Sequence, residues 1–179
     1  IDPKGRYLYV ANGGDNSISQ YTINSNGELT PMSIPTVTGE LNSPAAIATD
    51  PKGRYVYVTN PNGTVTQYTI SSTGALTRLG VLQTGENPLA ITTDPEGRYA
   101  YVSSPASQVV LQYTIGSDGA LTPMSTSTVS AGTRPVAITT DAKGRYAYAV
   151  DSDKNVVIQY TIDSTGALTP MKTPTVPTG

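Results

Sequence analysis

The chain has no cysteine, no histidine, no tryptophan and no phenylalanine among its 179 residues. Without cysteine it can form neither a disulfide nor a thiolate nucleophile. Without histidine it lacks the side chain that most often moves protons near neutral pH, and a Ser-His-Asp triad is excluded. Because glycine-rich phosphate-binding motifs are also missing, we predict no catalytic residue, no metal centre and no cofactor.

Charge is scarce as well. The 11 Lys and Arg side chains stand against 13 Asp and Glu, which gives a net charge of -2. This balance gives no electrostatic reason to expect nucleic acid or an anionic membrane as a partner. No apolar run approaches the roughly 20 residues that a membrane-spanning helix needs. The composition fits a cytoplasmic protein and a secreted or periplasmic one equally well, so the compartment stays open.

What the chain has in abundance is repetition. Four near-identical units open 44 to 48 residues apart, at Asp2, Asp50, Asp94 and Asp141. Each unit consists of short β-type segments without helical periodicity, and a period of this length is typical of a propeller blade. The sequence therefore predicts an all-β fold, a β-propeller of four-stranded antiparallel blades. It forms one domain, 1–179, with repeats at 1–43, 44–87, 88–134 and 135–179.

Side-chain size and proline predict the order of strands within a unit. Short runs of small and β-branched residues suit the innermost strand, where blades crowd the central axis. We expect these strands at 45–49, 89–93 and 136–140, and we expect them to be the most buried parts of the chain. Proline recurs in the fourth segment, as at Pro31 and Pro123, and because it cannot donate to a ladder this strand belongs at the outer edge. The first copy lacks an innermost strand.

Two side-chain types recur at fixed places in every unit. The twelve tyrosines fall three to a repeat, which favours packing between blades, with each hydroxyl reaching a polar edge, over a ligand-stacking role. The arginine of each GRY tripeptide follows the turn aspartate by four residues, as Arg54 follows Asp50. We expect the two to form an ion pair within the turn.

The segments DPKGRYVYVTN (50–60), VTQYTI (65–70) and TGALT (73–77) resemble the YVTN-type repeats of lactonase-like β-propellers. That family includes the seven-bladed 6-phosphogluconolactonases, and the resemblance covers essentially the whole chain. It implies a ring with more blades than the four repeats present, and a cleft on one face lined by Arg, Glu and often His. Because the chain has no histidine, no catalytic residue is carried over from the family.

Positions that differ between the copies are candidates for a binding site. The connection between the second and third strands varies, and so does the link from an outer strand to the next inner strand. In a propeller these loops lie on the same face, and loops on a rigid scaffold commonly carry function. We expect them to bind a small polar ligand or a carbohydrate, unless they are ordinary solvated loops. The candidate residues are Asn12, Glu40, Asn60, Glu86, Arg134 and Asp151.

Three functions are compatible with the sequence. The near-identity of the copies favours a non-catalytic scaffold or binding module, because uniform blades leave little room for a specialised site. The first alternative is a lactonase-like hydrolase of the 6-phosphogluconolactonase type, of which this chain is a fragment or a subunit. Its general base would be an Asp or Glu with a raised pKa. The second alternative is a surface repeat protein used in adhesion.

Self-association is a further expectation. The last blade of one chain should fit the first blade of another, so two chains would close an eight-bladed homodimer. A longer native chain is the alternative. The end faces exposed before closure should carry apolar side chains. We expect Tyr7, Leu8 and Tyr9 at one end and Val156, Ile158 and Tyr160 at the other.

Overall fold

The computed structural model describes residues 1–85 and 87–178, which form fifteen strands and no helix. The strands are β1 (Tyr7–Asn12), β2 (Ser17–Ile23), β3 (Leu29–Thr38), β4 (Ala46–Thr49), β5 (Tyr55–Asn60), β6 (Thr64–Ile70), β7 (Leu76–Gln83), β8 (Ile91–Thr93), β9 (Tyr99–Ser104), β10 (Val109–Ile115), β11 (Leu121–Ser130), β12 (Pro135–Thr140), β13 (Tyr146–Asp151), β14 (Val156–Ile162) and β15 (Leu168–Pro177). Accordingly, this part of the chain contains no helix that could cross a membrane.

The strands form four separate antiparallel sheets, each made of strands consecutive in the chain. We number them blade 1 (β1–β3), blade 2 (β4–β7), blade 3 (β8–β11) and blade 4 (β12–β15). Blade 1 has three strands and lacks the innermost one, and the other blades have four. This confirms the predicted all-β architecture of antiparallel propeller blades.

A repeated turn joins the innermost strand to the second strand of each blade. In blade 2 the Asp50 carboxylate accepts hydrogen bonds from the backbone N–H groups of Arg54 and Tyr55. The Arg54 Nε lies 3.0 Å from the same carboxylate, and its guanidinium lies over the Tyr55 ring, 4.8 Å from the centroid. The same ion pair and ring contact recur in all four copies. The predicted Asp–Arg pair is confirmed.

The innermost strands are not the most buried, so that expectation was wrong. Strand β4 is half-buried along its length, whereas the second strand β5 is buried at every residue. An innermost strand has a hydrogen-bonded neighbour on one side only, whereas a second strand is flanked on both sides. The predicted positions were close: β8 begins two residues later than expected, at Ile91, and β12 begins one residue earlier, at Pro135.

The fourth strands lie at the outer edges of the sheets, as the prolines predicted. Strand β3 pairs only with β2, and β11 pairs only with β10. Both are exposed over most of their length. Pro31 and Pro123 each sit beside a register shift of the outer pair, where a missing backbone donor is tolerated.

Successive blades meet in a contact that we call a seam. In the first seam, the Tyr9 hydroxyl of blade 1 donates to the Gly74 carbonyl of blade 2 over 2.6 Å, and the Tyr7 hydroxyl donates to the Ser72 carbonyl. A side chain at Gly74 would place its Cβ 2.5 Å from the Tyr7 ring, so this close approach requires glycine. The predicted packing between blades is confirmed for these two tyrosines. A polar partner for every hydroxyl was wrong, because the buried Tyr68 hydroxyl has none among the described residues.

The prediction for the two end faces was wrong for four of its six residues, while Leu8 and Val156 are only partly buried. Tyr7 and Tyr9 are buried in the seam with blade 2, and Ile158 and Tyr160 are buried in the cluster that joins blades 3 and 4. Strand alternation tells which side chains share a face, but it does not tell which face meets the neighbouring blade. The exposed apolar side chains of blade 1 are others, and among them is Leu29, which is 47% exposed.

Candidate functional site

Hydrogen bonds join the two kinds of variable loop. The Ser43 N–H, in the link that leads to blade 2, donates to the Asn16 side chain in the β1–β2 loop over 2.6 Å. In blade 4, the N–H groups of Thr133 and Arg134 donate to Asp151 at the end of β13. The two loop sets therefore lie side by side, as predicted, and form one polar surface.

Asp151 is the most constrained of the predicted site residues. Its buried carboxylate accepts hydrogen bonds from the Thr133 N–H at 2.7 Å and the Thr133 hydroxyl, and from three further backbone N–H groups. Burial alone would raise the pKa of Asp151, but these donors outweigh it and lower the pKa to about 2. A carboxylate with so low a pKa is a weak base, and this one acts as a structural acceptor that holds the link onto its blade.

Asn60 and Asn12 occupy the same place in blades 2 and 1. The Asn60 amide donates to the hydroxyls of Thr64 and Thr66, at 3.1 and 3.0 Å, and its carbonyl oxygen accepts from the Asn42 N–H. The Asn12 amide donates to Ser17 and Ser19 in the same manner. The last position of the second strand thus holds the adjacent link in blades 2 and 4, whereas in blade 1 it bonds only to the next strand among the described residues.

Glu40 and Arg134 remain on the surface, and each is paired locally. Glu40 adopts a positive φ of 55° in the link after β3, and its carboxylate lies 3.2 Å from Arg78 of β7. Arg134 lies 3.8 Å from Asp153. The described contacts do not join Glu40 to Arg134, which belong to links two seams apart. Glu86 lies outside the described residues, and ligand binding by this set stays a prediction.

A pocket of about 320 Å³ opens beside Asp151. Asp151 and Lys154 supply polar groups at its wall, and four apolar residues supply most of the rest: Val156, Ile158, Pro170 and Pro174. It lies where the register between β14 and β15 shifts, between Ile158 and Tyr160. The volume is at the lower end of the range of small-molecule sites, about 300–1,000 Å³. Sequence reasoning named Asp151 but missed the other lining residues, for which the two prolines of β15 were the available signal.

No cluster of three or more acidic side chains in the described part of the chain is arranged to hold a metal ion. Among these residues the polar loop surface offers hydroxyls, amides and two ion pairs instead. Such groups can bind a hydroxylated ligand by hydrogen bonds, and the arginines can meet an anionic group.

A family model described as "Lactonase, 7-bladed beta-propeller" matches residues 1–89 and 82–179. The chain belongs to this lactonase family. The match extends through all four blades.

Solved structures share the fold of this lactonase propeller. A Bacteroides fragilis protein assigned as a 6-phosphogluconolactonase superposes with a TM-score of 0.87 at 23% identity, over 99% of this chain and 53% of its own. A Lactobacillus plantarum protein superposes with a TM-score of 0.85 at 24% identity, over 97% of this chain and 53% of its own. The periplasmic gluconolactonase of Pseudomonas aeruginosa superposes with a TM-score of 0.75 at 20% identity, over 97% of this chain and 55% of its own.

This chain thus spans about half the length of the solved structures that it resembles. It carries four blades in a family described as seven-bladed. A comparison with curated proteins found no match.

Proposed function

We propose that the four blades belong to a lactone-hydrolysing propeller that acts on sugar-acid lactones. The family match over residues 1–89 and 82–179 is the observation that carries this proposal. Two similar structures bear the names of a 6-phosphogluconolactonase and a gluconolactonase, and both names describe hydrolysis of a lactone of gluconic acid. The polar loop surface suits a ligand rich in hydroxyl groups. We prefer this function to the non-catalytic scaffold that the near-identity of the four copies favoured.

The reaction needs a base that activates water. Water adds to the lactone carbonyl carbon, the ring C–O bond breaks, and the product is a hydroxy acid. Asp151 is unsuited because its pKa is about 2 and its oxygens already accept several hydrogen bonds. Glu40 is the better candidate base, since its carboxylate is 58% exposed beside Arg78. In this arrangement the guanidinium would stabilise the oxyanion that forms when water adds.

The test is a steady-state assay of gluconolactone and 6-phosphogluconolactone hydrolysis, with the uncatalysed rate subtracted. Glu40→Gln should lower kcat/KM by about a hundredfold, which is typical of a lost general base. Glu96→Gln is the matched control, because Glu96 is also exposed and lies 3.2 Å from an arginine, but in the repeated turn. Enzyme-dependent turnover that survives in Glu40→Gln contradicts the role of Glu40. No turnover of either lactone contradicts the proposed activity.

A non-catalytic carbohydrate-binding propeller is the second candidate. It is favoured by the hydrogen bonding of Asn12, Asn60 and Asp151, whose side chains bond to the adjacent strand or link of the propeller itself. Saturable binding of gluconolactone measured by calorimetry, without hydrolysis, would support it over the hydrolase. Absence of both binding and hydrolysis would contradict it.

We also propose that further blades complete the ring, supplied by a second copy of the chain or by more of the same chain. Four blades are fewer than the family's seven, whereas two copies supply eight, within the range of about four to eight that propellers use. A homodimer of this kind would place two copies of the polar loop surface on one ring.

A further inference from the structure

The link from blade 1 to blade 2 carries two side chains on a strained backbone. Glu40 has a φ of 55° and Ser43 a φ of 46°. This left-handed region favours glycine, so a residue with a side chain occupies it at a cost in free energy. Across the fully described residues 131–134, which link blade 3 to blade 4, only Gly132 has a positive φ. The surroundings of Glu40 must therefore hold it in a conformation that a glycine would adopt more easily.

Two side chains of blade 2 hold this link through a chain of hydrogen bonds. The Thr66 hydroxyl donates to the Glu40 carbonyl over 2.7 Å. The Asn60 NH₂ group donates to the Thr66 hydroxyl over 3.0 Å, and the Asn60 side-chain oxygen accepts the Asn42 N–H over 3.1 Å. Because an N–H group can only donate, Asn42 fixes which end of the Asn60 amide faces Thr66. The hydrogen of the Thr66 hydroxyl is then left for Glu40, so the three bonds run in one direction.

Packing alone does not explain a threonine at position 66. Thr66 is fully buried, and the residues at the same register position in blades 3 and 4 are Leu111 and Ile158. An apolar side chain therefore fits this position in a blade. A buried hydroxyl is costly unless it has a hydrogen-bond partner, and the acceptor for Thr66 is the Glu40 carbonyl. The hydroxyl of Thr66 thus serves the link and not the core of the blade.

Arg78, which pairs with the Glu40 carboxylate over 3.2 Å, is also a departure from the repeat. The other three blades have proline at its register position: Pro31, Pro123 and Pro170. The side chains of Arg78 and Glu40 are both more than half exposed, and an ion pair so exposed contributes little to stability. Two departures from a fourfold repeat therefore meet at one place where stability does not require them.

We propose that Thr66 and Asn60 are positioning residues for Glu40. Together they hold the Glu40 backbone at its positive φ, and this conformation directs the carboxylate to the Arg78 guanidinium. The consequence for catalysis rests on the proposed function, in which Glu40 is the base. A reacting group that is displaced by about 1 Å can lose roughly a hundredfold in rate, so the hydrogen-bond chain behind Glu40 should control kcat.

NMR spectroscopy of the 179-residue chain tests the backbone conformation directly. The chemical shifts of the Glu40 Cα and Cβ atoms depend on φ, so they report whether the backbone is left-handed. Thr66→Val removes the hydroxyl and keeps the shape, and the Glu40 shifts should move towards the values of extended backbone. They should stay at the wild-type values in Thr66→Ser, which keeps a hydroxyl.

Thr59→Val is the matched control for this experiment. The Thr59 hydroxyl is also buried and donates to a backbone carbonyl, that of Leu89, over 2.8 Å. This variant loses a comparable hydrogen bond but should leave the Glu40 shifts unchanged. Unchanged Glu40 shifts in Thr66→Val overturn the proposal, and so does an equal change in Thr59→Val.

A second pair of variants leaves the buried threonine intact and tests the strain. Glu40→Gly and Glu40→Ala both lack the carboxylate and differ only in the side chain that the backbone must carry. At an ordinary position alanine is the more stabilising of the two, whereas at a positive φ glycine is. The Glu40→Gly chain should therefore have the higher melting temperature. An equal or lower melting temperature overturns the proposal, because Glu40 would then need no restraint.

The hydrolysis of gluconolactone tests the consequence for catalysis. Thr66→Val should lower kcat about tenfold and change KM by less than about twofold, because the base is displaced while the groups that bind substrate remain. Thr66→Ser should restore kcat, and Thr59→Val should keep it. A wild-type kcat in Thr66→Val, with Glu40→Gln impaired, overturns the proposal. If the wild-type chain hydrolyses no lactone, the proposed function fails, and the chemical shifts and melting temperatures still decide whether Thr66 and Asn60 position Glu40.

Discussion

Two glycines in equivalent turns allow the contribution of a seam to be measured. Gly74 lies in the seam between blades 1 and 2, and Gly27 is its equivalent in blade 1, where a Cβ would have no described atom within 4 Å. Their φ angles are nearly the same, at 84° and 87°. Alanine at either position therefore suffers the same backbone strain, about 1–2 kcal/mol. Only at Gly74 would the new methyl group also meet a ring, that of Tyr7, at 2.5 Å.

The expected difference follows from what the methyl group displaces. Moving the Tyr7 ring costs about 1–3 kcal/mol of overpacking. The seam's tyrosine hydrogen bonds are worth about 1 kcal/mol each. Gly74→Ala should thus lower the free energy of unfolding by about 4–7 kcal/mol and Gly27→Ala by about 1–2. Urea unfolding of the monomer, at concentrations too low for self-association, measures both. Equal losses would refute the reasoning.

Three other side chains give specific tests. Asp151→Asn should lower the free energy of unfolding by about 1–2 kcal/mol at neutral pH, because it removes hydrogen-bond acceptors. The pKa of Asp151 is about 2 in the folded chain, below its ordinary value of 3.8. The contribution of Asp151 to the free energy of unfolding is therefore complete above pH 3.8 and is lost as the pH falls towards 2. Urea titrations of both proteins should therefore converge in acid, and a constant difference would contradict this. Tyr68→Phe should leave the melting temperature unchanged or raise it, since the buried Tyr68 hydroxyl is without a partner among the described residues. Tyr160→Phe should lower the free energy of unfolding by about 1 kcal/mol, because it removes a 2.6 Å hydrogen bond to the Ser130 carbonyl. Equal shifts in the melting temperatures of the two Tyr→Phe variants would contradict this comparison.

The fold could be predicted because the same strand-rich unit occurs four times in the sequence. Any one copy of the turn around Asp50 would be a weak signal, but its recurrence with Arg54 at a constant spacing made both the blade and the ion pair predictable. Burial was harder to predict. The residues of β4 are small and apolar, yet they are half-buried because the strand lies at the edge of its sheet. Composition does not reveal such a position.

The candidate site was less predictable for a related reason. Asn60 and Asp151 stood out because they differ between copies, but the difference lies in how each loop is fastened. Whether a polar side chain faces outward or bonds to its own backbone depends on loop geometry that the residue type does not encode. Likewise, the pocket beside Lys154 lies at a register shift between two strands, and the prolines of β15 do not by themselves indicate it, because β3 and β11 have the same shift beside Pro31 and Pro123.

Every blade presents the same contact chemistry to its successor, and this makes blades exchangeable. If 88–134 were removed, Tyr57 would meet Gly166 instead of Gly119, and Gln67 would accept from Leu168 instead of Leu121. The contacts would be chemically unchanged. A gene encoding such blades could gain or lose one by recombination between copies without creating a faulty junction. The number of blades is then set by the curvature at which a ring closes, and not by any single residue.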